Sequence, residues 1–204
     1  MPKTAMKIGP NENGQPMRLK DFELAQVQEG YVYELGRGLI VVSDVPKPQH
    51  LIQIDSIRQQ LTMYQVANPA SIFCIAGGSD CKILASEFES ERHPDLAIYQ
   101  TPPPEEDDPW PYWIPEIVIE VVSLSSKVRD YKEKPEEYLA FGVREYWIFD
   151  ASKTEMRVLR RSGGRWNQRK IRPPTIYRTG LLPGLAFDCK QVFAPLAKRR
   201  KSNG

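Results

Sequence analysis

The sequence predicts an α/β fold built on a mixed, twisted β-sheet flanked by helices, and three observations carry that reading. An unbroken apolar run, Ile117-Val118-Ile119-Glu120-Val121-Val122, is followed by a helical segment and then by a second apolar run, Glu145-Tyr146-Trp147-Ile148-Phe149-Asp150. That order is a β-α-β unit, whose strands are buried on both faces and joined by a right-handed crossover. Hairpin signatures at Gly36-Arg37-Gly38 and Ser162-Gly163-Gly164 lie on either side of it, and hairpins add antiparallel strands to the sheet.

In chain order, residues 1–17 are polar and rich in Gly, Pro and Asn, and read as a flexible lead-in. Leu19 to Gln28 reads as a short helix stopped by Gly30. Tyr31–Leu35 and Leu39–Val42 form the first hairpin. Leu51, Ile54, Ile57, Arg58 and Leu61 put a mostly apolar stripe on one side of a helix from about Gln49 to Tyr64. Ser71–Ala76 is a short strand ending at the Gly77-Gly78 turn, and Leu96–Tyr99 is another, entered through Pro94-Asp95. Thr101 to Trp113, with Glu105-Glu106-Asp107-Asp108, reads as an exposed loop. Ser125 to Phe141 is a helix that Gly142 closes. Met156–Arg161 and Arg165–Ile171 form the second hairpin. The expected organisation is one domain over residues 18–195, followed by a basic tail at 196–204.

Composition narrows the function. The 204 residues are 41% hydrophobic and 26% charged, enough to close a core of their own. Every apolar run is shorter than the roughly 18–20 residues of a membrane helix, and no apolar segment follows Lys3 and Lys7 as a secretory signal requires. Cys74, Cys81 and Cys189 form no CxxC and are odd in number, so no disulfide framework or zinc site is expected and a reducing cytoplasm fits. No Walker loop or GxGxxG is present, which argues against a nucleotide cofactor. Charge is divided unevenly. Residues 1–152 hold 14 Lys and Arg against 24 Asp and Glu, a net of −10, while residues 153–204 hold 14 against 2, a net of +12. An acidic site beside a basic surface suits a cation and a polyanion together; a solvated basic edge is the plainer alternative.

Glu120 is the informative residue. It interrupts a run that reads as a central strand, where an ionised carboxylate is costly unless it meets a cation, a metal or several donors. Asp95 raises the same question at the start of its own strand. Two strands each presenting a carboxylate can hold one hard cation, and Mg²⁺ takes one or two carboxylates with water and phosphate oxygens. The competing explanation is a structural ion pair between Glu120 and a basic residue of the following helix, where Lys134 and Tyr138 share a face.

Taken jointly, Pro94-Asp95, Glu120-Val121-Val122-Ser123 with Ser125, Asp130-x-x-x-Lys134-x-x-x-Tyr138, and Gly142-Val143-Arg144-Glu145-Tyr146-Trp147-Ile148-Phe149-Asp150 closely resemble the Uma-type restriction endonuclease family, a bacterial branch of the PD-(D/E)XK nuclease superfamily. Glu34-Leu35-x-x-Gly38, His50 and Leu181-Leu182-Pro183-Gly184-Leu185 extend the resemblance over roughly residues 20–194. It implies a restriction-endonuclease-like core and hydrolysis of DNA phosphodiester bonds with Mg²⁺, for which Mn²⁺ would substitute. Asp95, Glu120 and the backbone carbonyl of Val121 would hold the ion. The E-x-K position holds Val122, so the matching lysine is Lys134 on the helix, braced by Tyr138. Pro135 disfavours α geometry just before it and removes a hydrogen bond inside a helix, so Lys134 is usefully oriented only if the helix starts close to it. Glu34 and His50 fall at an outer site, and Arg165, Arg169 and Lys170 are the expected phosphate contacts. DNA is the implied partner, a homodimer is consistent with duplex cutting in this superfamily, and no membrane partner is expected. The rival expectation is a catalytically inactive nucleic-acid-binding or scaffold protein that keeps the fold.

Overall fold

Six strands form the central sheet in a computed structural model that describes residues 6–200. The elements in chain order are β1 (Lys7–Ile8), α1 (Leu19–Phe22), β2 (Gln26–Val27), β3 (Tyr31–Gly36), β4 (Leu39–Asp44), α2 (Pro48–Ala67), β5 (Cys74–Ala76), β6 (Ile83–Ala85), β7 (Ser90–Arg92), β8 (Leu96–Tyr99), β9 (Ile117–Val121), α3 (Lys134–Phe141), β10 (Glu145–Asp150), β11 (Glu155–Ser162), β12 (Arg165–Ile171), β13 (Ile176–Tyr177), β14 (Phe187–Asp188) and α4 (Cys189–Arg200). The central sheet runs β12-β11-β10-β9-β8-β5. Within this sheet only β9 and β10 pair in parallel, and they are the two strands joined through α3. The fold is therefore α/β with a mixed sheet, and the β-α-β unit lies at its centre.

Alternation along these strands sends side chains to two different cores. Ile117, Ile119, Trp147 and Phe149 face α2 and α4, where they meet Ile57, Leu61, Phe187 and Val192. Val118, Tyr146, Ile148 and Leu159 face α3 and meet Tyr138. Glu120 lies two residues after Val118, so it shares the α3 face. A second sheet, β4-β3-β7-β6, brings Ile83 against this same face.

Several local expectations change. Helix α1 is only one turn long, because Gln26 and Gln28 donate their backbone N–H groups to Met6 and Ile8 and pull the chain into a strand pair. Residues 6–17 are correspondingly not a flexible lead-in: Ile8 and Met17 are buried beside Leu19, Phe22 and Leu35. The helix expected from Ser125 is present from Lys127 to Phe141, but its course is irregular. Ser126 turns back to bond Ser123, and Arg129–Glu133 form a wider π-helical turn before α3 starts at Lys134. Pro135, which has no N–H to donate, stands directly after this widened turn, at the start of α3. Gly142, at φ +111°, closes the helix as the sequence suggests. The strands β6 and β7 have no counterpart in the sequence reading. Helix α4 continues through residue 200, across the expected start of the basic tail, and Lys201 to Gly204 lie outside the described residues. Among the described residues, no helix is long and apolar enough to cross a membrane.

Candidate active site

Strands β8 and β9 pair antiparallel with Leu96 opposite Ile119. One step outward, that register sets Asp95 opposite Glu120, and directly opposed residues project on the same face. The two carboxylates singled out by the sequence therefore stand side by side over the α3 face. Asp95 is pinned at both oxygens: Oδ2 accepts the backbone N–H of Val121 at 2.7 Å, and Oδ1 lies 2.9 Å from His50 Nε2. Val121 is thus in contact with Asp95 through its amide. Gly77 lets the chain pass very close here, since a Cβ on it would stand 2.1 Å from the Asp95 carbonyl oxygen.

Glu120 is held from α3. Lys134 Nζ and Tyr138 OH both donate to its Oε1 at 2.8 Å, which leaves Oε2 free of them. The (i, i+4) spacing read from the sequence is what lets both reach one oxygen. Lys134 is 4% exposed and meets two further carboxylates, Asp130 Oδ1 at 3.3 Å and Glu34 Oε1 at 3.5 Å. Asp130 sits on the π-helical turn and takes the Ser126 hydroxyl on its other oxygen. Glu34 projects from β3 of the second sheet and accepts the backbone N–H of His93. His93 itself points elsewhere, bonding the Cys81 carbonyl and Glu91.

Three carboxylates, Glu34, Glu120 and Asp130, thus surround one ammonium, and Asp95 stands on the strand beside Glu120 as a fourth acidic group of the cluster. Burial, with Asp130, Asp95 and Glu34 nearby, pushes Glu120 up to about 8 in spite of Lys134. Burial raises Asp130 as well. Burial alone would lower Lys134, but Glu120, Glu34 and Asp130 together raise it, so it stays charged. Burial would raise Glu34, but Lys134 and Arg92 outweigh it and bring Glu34 down to about 2. Burial opposes charge on His50, and Asp95 overcomes it and moves His50 up.

This surplus of negative charge fits a hard divalent cation, because the cluster must otherwise hold a proton. Among the described residues no three His, Cys, Asp or Glu side chains form a ready chelate. An ion here would take Asp95 and Glu120 and complete its shell from backbone, water and substrate.

The structure brings together Asp95, Glu120, Val121, Lys134, Tyr138, Glu34 and His50. It does not unite the basic trio. On β12, Trp166 packs toward the α3 face, where its indole N–H donates to the Pro135 carbonyl. Lys170 shares that face by alternation, while Arg165 and Arg169 lie on the other one. Arg157, opposite Lys170, stacks over Tyr131 of the π-helical turn, and Arg161, opposite Trp166, donates to the Leu139 carbonyl of α3, so the hairpin cations on the α3 face are Arg157, Arg161 and Lys170. Sequence reasoning assigned no role to Asp130, Arg92 or Glu137. Asp130 carried a signal, its (i, i+4) spacing to Lys134; the contacts of Arg92 and Glu137 depend on β7 and carried none.

The chain matches the Uma2 family, described as "Putative restriction endonuclease", over residues 19–190. A comparison with curated proteins finds no match. Among solved structures, a protein from Anabaena variabilis ATCC 29413, described as a "putative nuclease belonging to DUF820", superposes with a TM-score of 0.70 at 16% identity. That likeness covers 88% of this chain and 98% of the other and shows a shared fold. With nearly the whole described chain matched, the protein belongs to the Uma2 family of restriction-endonuclease-like proteins.

Proposed function

We propose that the protein is a Mg²⁺-dependent endonuclease that hydrolyses DNA phosphodiester bonds. The observation that carries this reading is the pairing of Asp95 and Glu120 across β8 and β9, with Lys134 and Tyr138 on the same Glu120 oxygen. Asp95, Glu120 and the Val121 carbonyl would hold Mg²⁺, or Mn²⁺ in its place. When bound, such an ion polarises a phosphate and lowers the pKa of water. The protein's own groups supply the rest. His50 and the Val121 amide fix the Asp95 carboxylate. Lys134 brings positive charge to where phosphate charge develops and orients the attacking water, and Tyr138 keeps Glu120 in place. Cleavage of plasmid and oligonucleotide DNA is expected for the wild type with Mg²⁺ or Mn²⁺, and is expected to be lost in Asp95→Ala and Glu120→Ala. Equal activity in all three proteins would overturn the assignment.

One observation favours a second reading, a nucleic-acid-binding or scaffold protein without catalysis. Lys134 is almost fully buried and already engaged by three carboxylates, as in a structural ion-pair network. Calorimetric titration with Mn²⁺ separates the two. Binding that disappears in Glu120→Gln supports the nuclease, and no binding by the wild type, even with DNA present, supports the scaffold.

A further inference from the structure

Arg92 ends β7, two residues before Pro94, and none of its surface reaches solvent. Its Nε and Nη2 donate to the two oxygens of Glu137 at 2.7 and 2.9 Å, and Glu137 is equally sealed. Its Nη2 also reaches Glu133 at 3.3 Å, and its Nη1 reaches Glu34 Oε2 at 3.5 Å. Gly36 makes room for the guanidinium: a Cβ there would stand 2.7 Å from Nη1 and 2.8 Å from Nη2. A buried ion pair of this kind is weak evidence for stability, because apolar residues of similar volume often serve as well. Its placement points to another use.

Glu133 and Glu137 flank Lys134 on the chain, so the fork of Arg92 grips the turn that carries the lysine. Glu34 is divided between the two cations, with Oε1 3.5 Å from Lys134 and Oε2 3.5 Å from Arg92. Without Arg92, the only cation left to Glu34 among these contacts would be Lys134. The ammonium would then be drawn toward β3 and away from Glu120, which it meets at 2.8 Å.

We infer that Arg92 is a positioning residue: by clamping Glu137 and sharing the charge of Glu34, it fixes the first turn of α3 and keeps the Lys134 ammonium directed at Glu120. For its kinetic readout the inference rests on the nuclease reading above.

Two variants of the full chain test it. Arg92→Lys keeps the charge but loses the planar fork. Arg92→Met combined with Glu137→Met removes the pair without stranding a buried charge, so it folds even where the single variant does not. In each folded variant, kcat for DNA cleavage is expected to fall by about tenfold or more with little change in KM, as small misplacements of a catalytic group do. The side-chain ammonium resonance of Lys134, assigned in the metal-free protein by its loss in Lys134→Met, is expected to move. If the wild type cleaves nothing, the resonance still decides: a displaced signal upholds the positioning role, and it is the nuclease reading that fails. A Lys134 resonance at its wild-type position in a folded variant overturns the inference.

Discussion

Replacing Glu120 by Gln should change how the metal-free protein's stability depends on pH. In the folded protein burial holds the Glu120 carboxyl protonated up to about pH 8, against an ordinary value of 4.5. Between those values the folded state binds more protons than the unfolded chain. The stability this group contributes is therefore complete below about pH 4.5 and is lost as pH rises through 8. A difference of about 3.5 pH units at about 1.36 kcal/mol per unit sets a ceiling of about 5 kcal/mol. Glu34 has the opposite sign and a different window. Its carboxyl, brought down to about 2, contributes stability that is present above about pH 4.5 and lost only as pH falls toward 2.

The substitution is mild. A Gln carbonyl can still accept from Lys134 and Tyr138, and Lys134 keeps Asp130 at 3.3 Å and Glu34 at 3.5 Å. Urea denaturation of both proteins in EDTA, from pH 5 to pH 8.5, provides the assay. The wild type should lose about 2 kcal/mol or more relative to Glu120→Gln across that range, because Gln has no proton to release. His50 titrates in both proteins and largely cancels in the comparison. A difference that stays constant to within about 0.5 kcal/mol would show that Glu120 is already ionised in the folded state, and would refute the argument that surplus negative charge prepares this site for a cation.

Gly77→Ala should destabilise the protein by about 2–4 kcal/mol in the same denaturation assay, since the new methyl would overlap the backbone oxygen of Asp95 rather than a side chain that can move aside. A wild-type midpoint would mean that the chain relaxes there without strain. Tyr138→Phe removes one of two donors to the buried Glu120 Oε1 and should cost about 1–3 kcal/mol, measured at neutral pH by urea midpoints. For DNA binding, Arg157→Ala with Lys170→Ala should reduce the slope of log affinity against log salt by about 0.9 for each phosphate that is no longer neutralised, and Arg165→Ala with Arg169→Ala should change it less. Titrations on duplex DNA at several salt concentrations decide this; the reverse order of effects would place the DNA path on the α2 and α4 face.

What the sequence disclosed about the site follows from the range of each interaction. Asp95 and Glu120 were legible because a carboxylate inside an apolar strand is costly, whatever the strand is paired with. Lys134 and Tyr138 were legible because helix geometry fixes residues four apart. Arg92 obeys neither rule. It occupies a three-residue strand without an apolar pattern, and its acceptors come from β3, 58 residues before it, and from α3, 45 residues after it. Its burial is a property of the assembled fold. The same limit explains the two hairpin arginines. Alternation along β12 was readable, yet which of its faces looks toward Glu120 depends on where α3 packs. It also explains the unread irregularity of the helix. Ser125 to Asp130 have no strong breaker among them and the chain is helical from Lys127, but nothing local marks the widening at Arg129–Glu133. Asp130 lies on that π-helical turn four residues before Lys134, and this spacing keeps it on the lysine's side of the helix and adds a further carboxylate to the cluster.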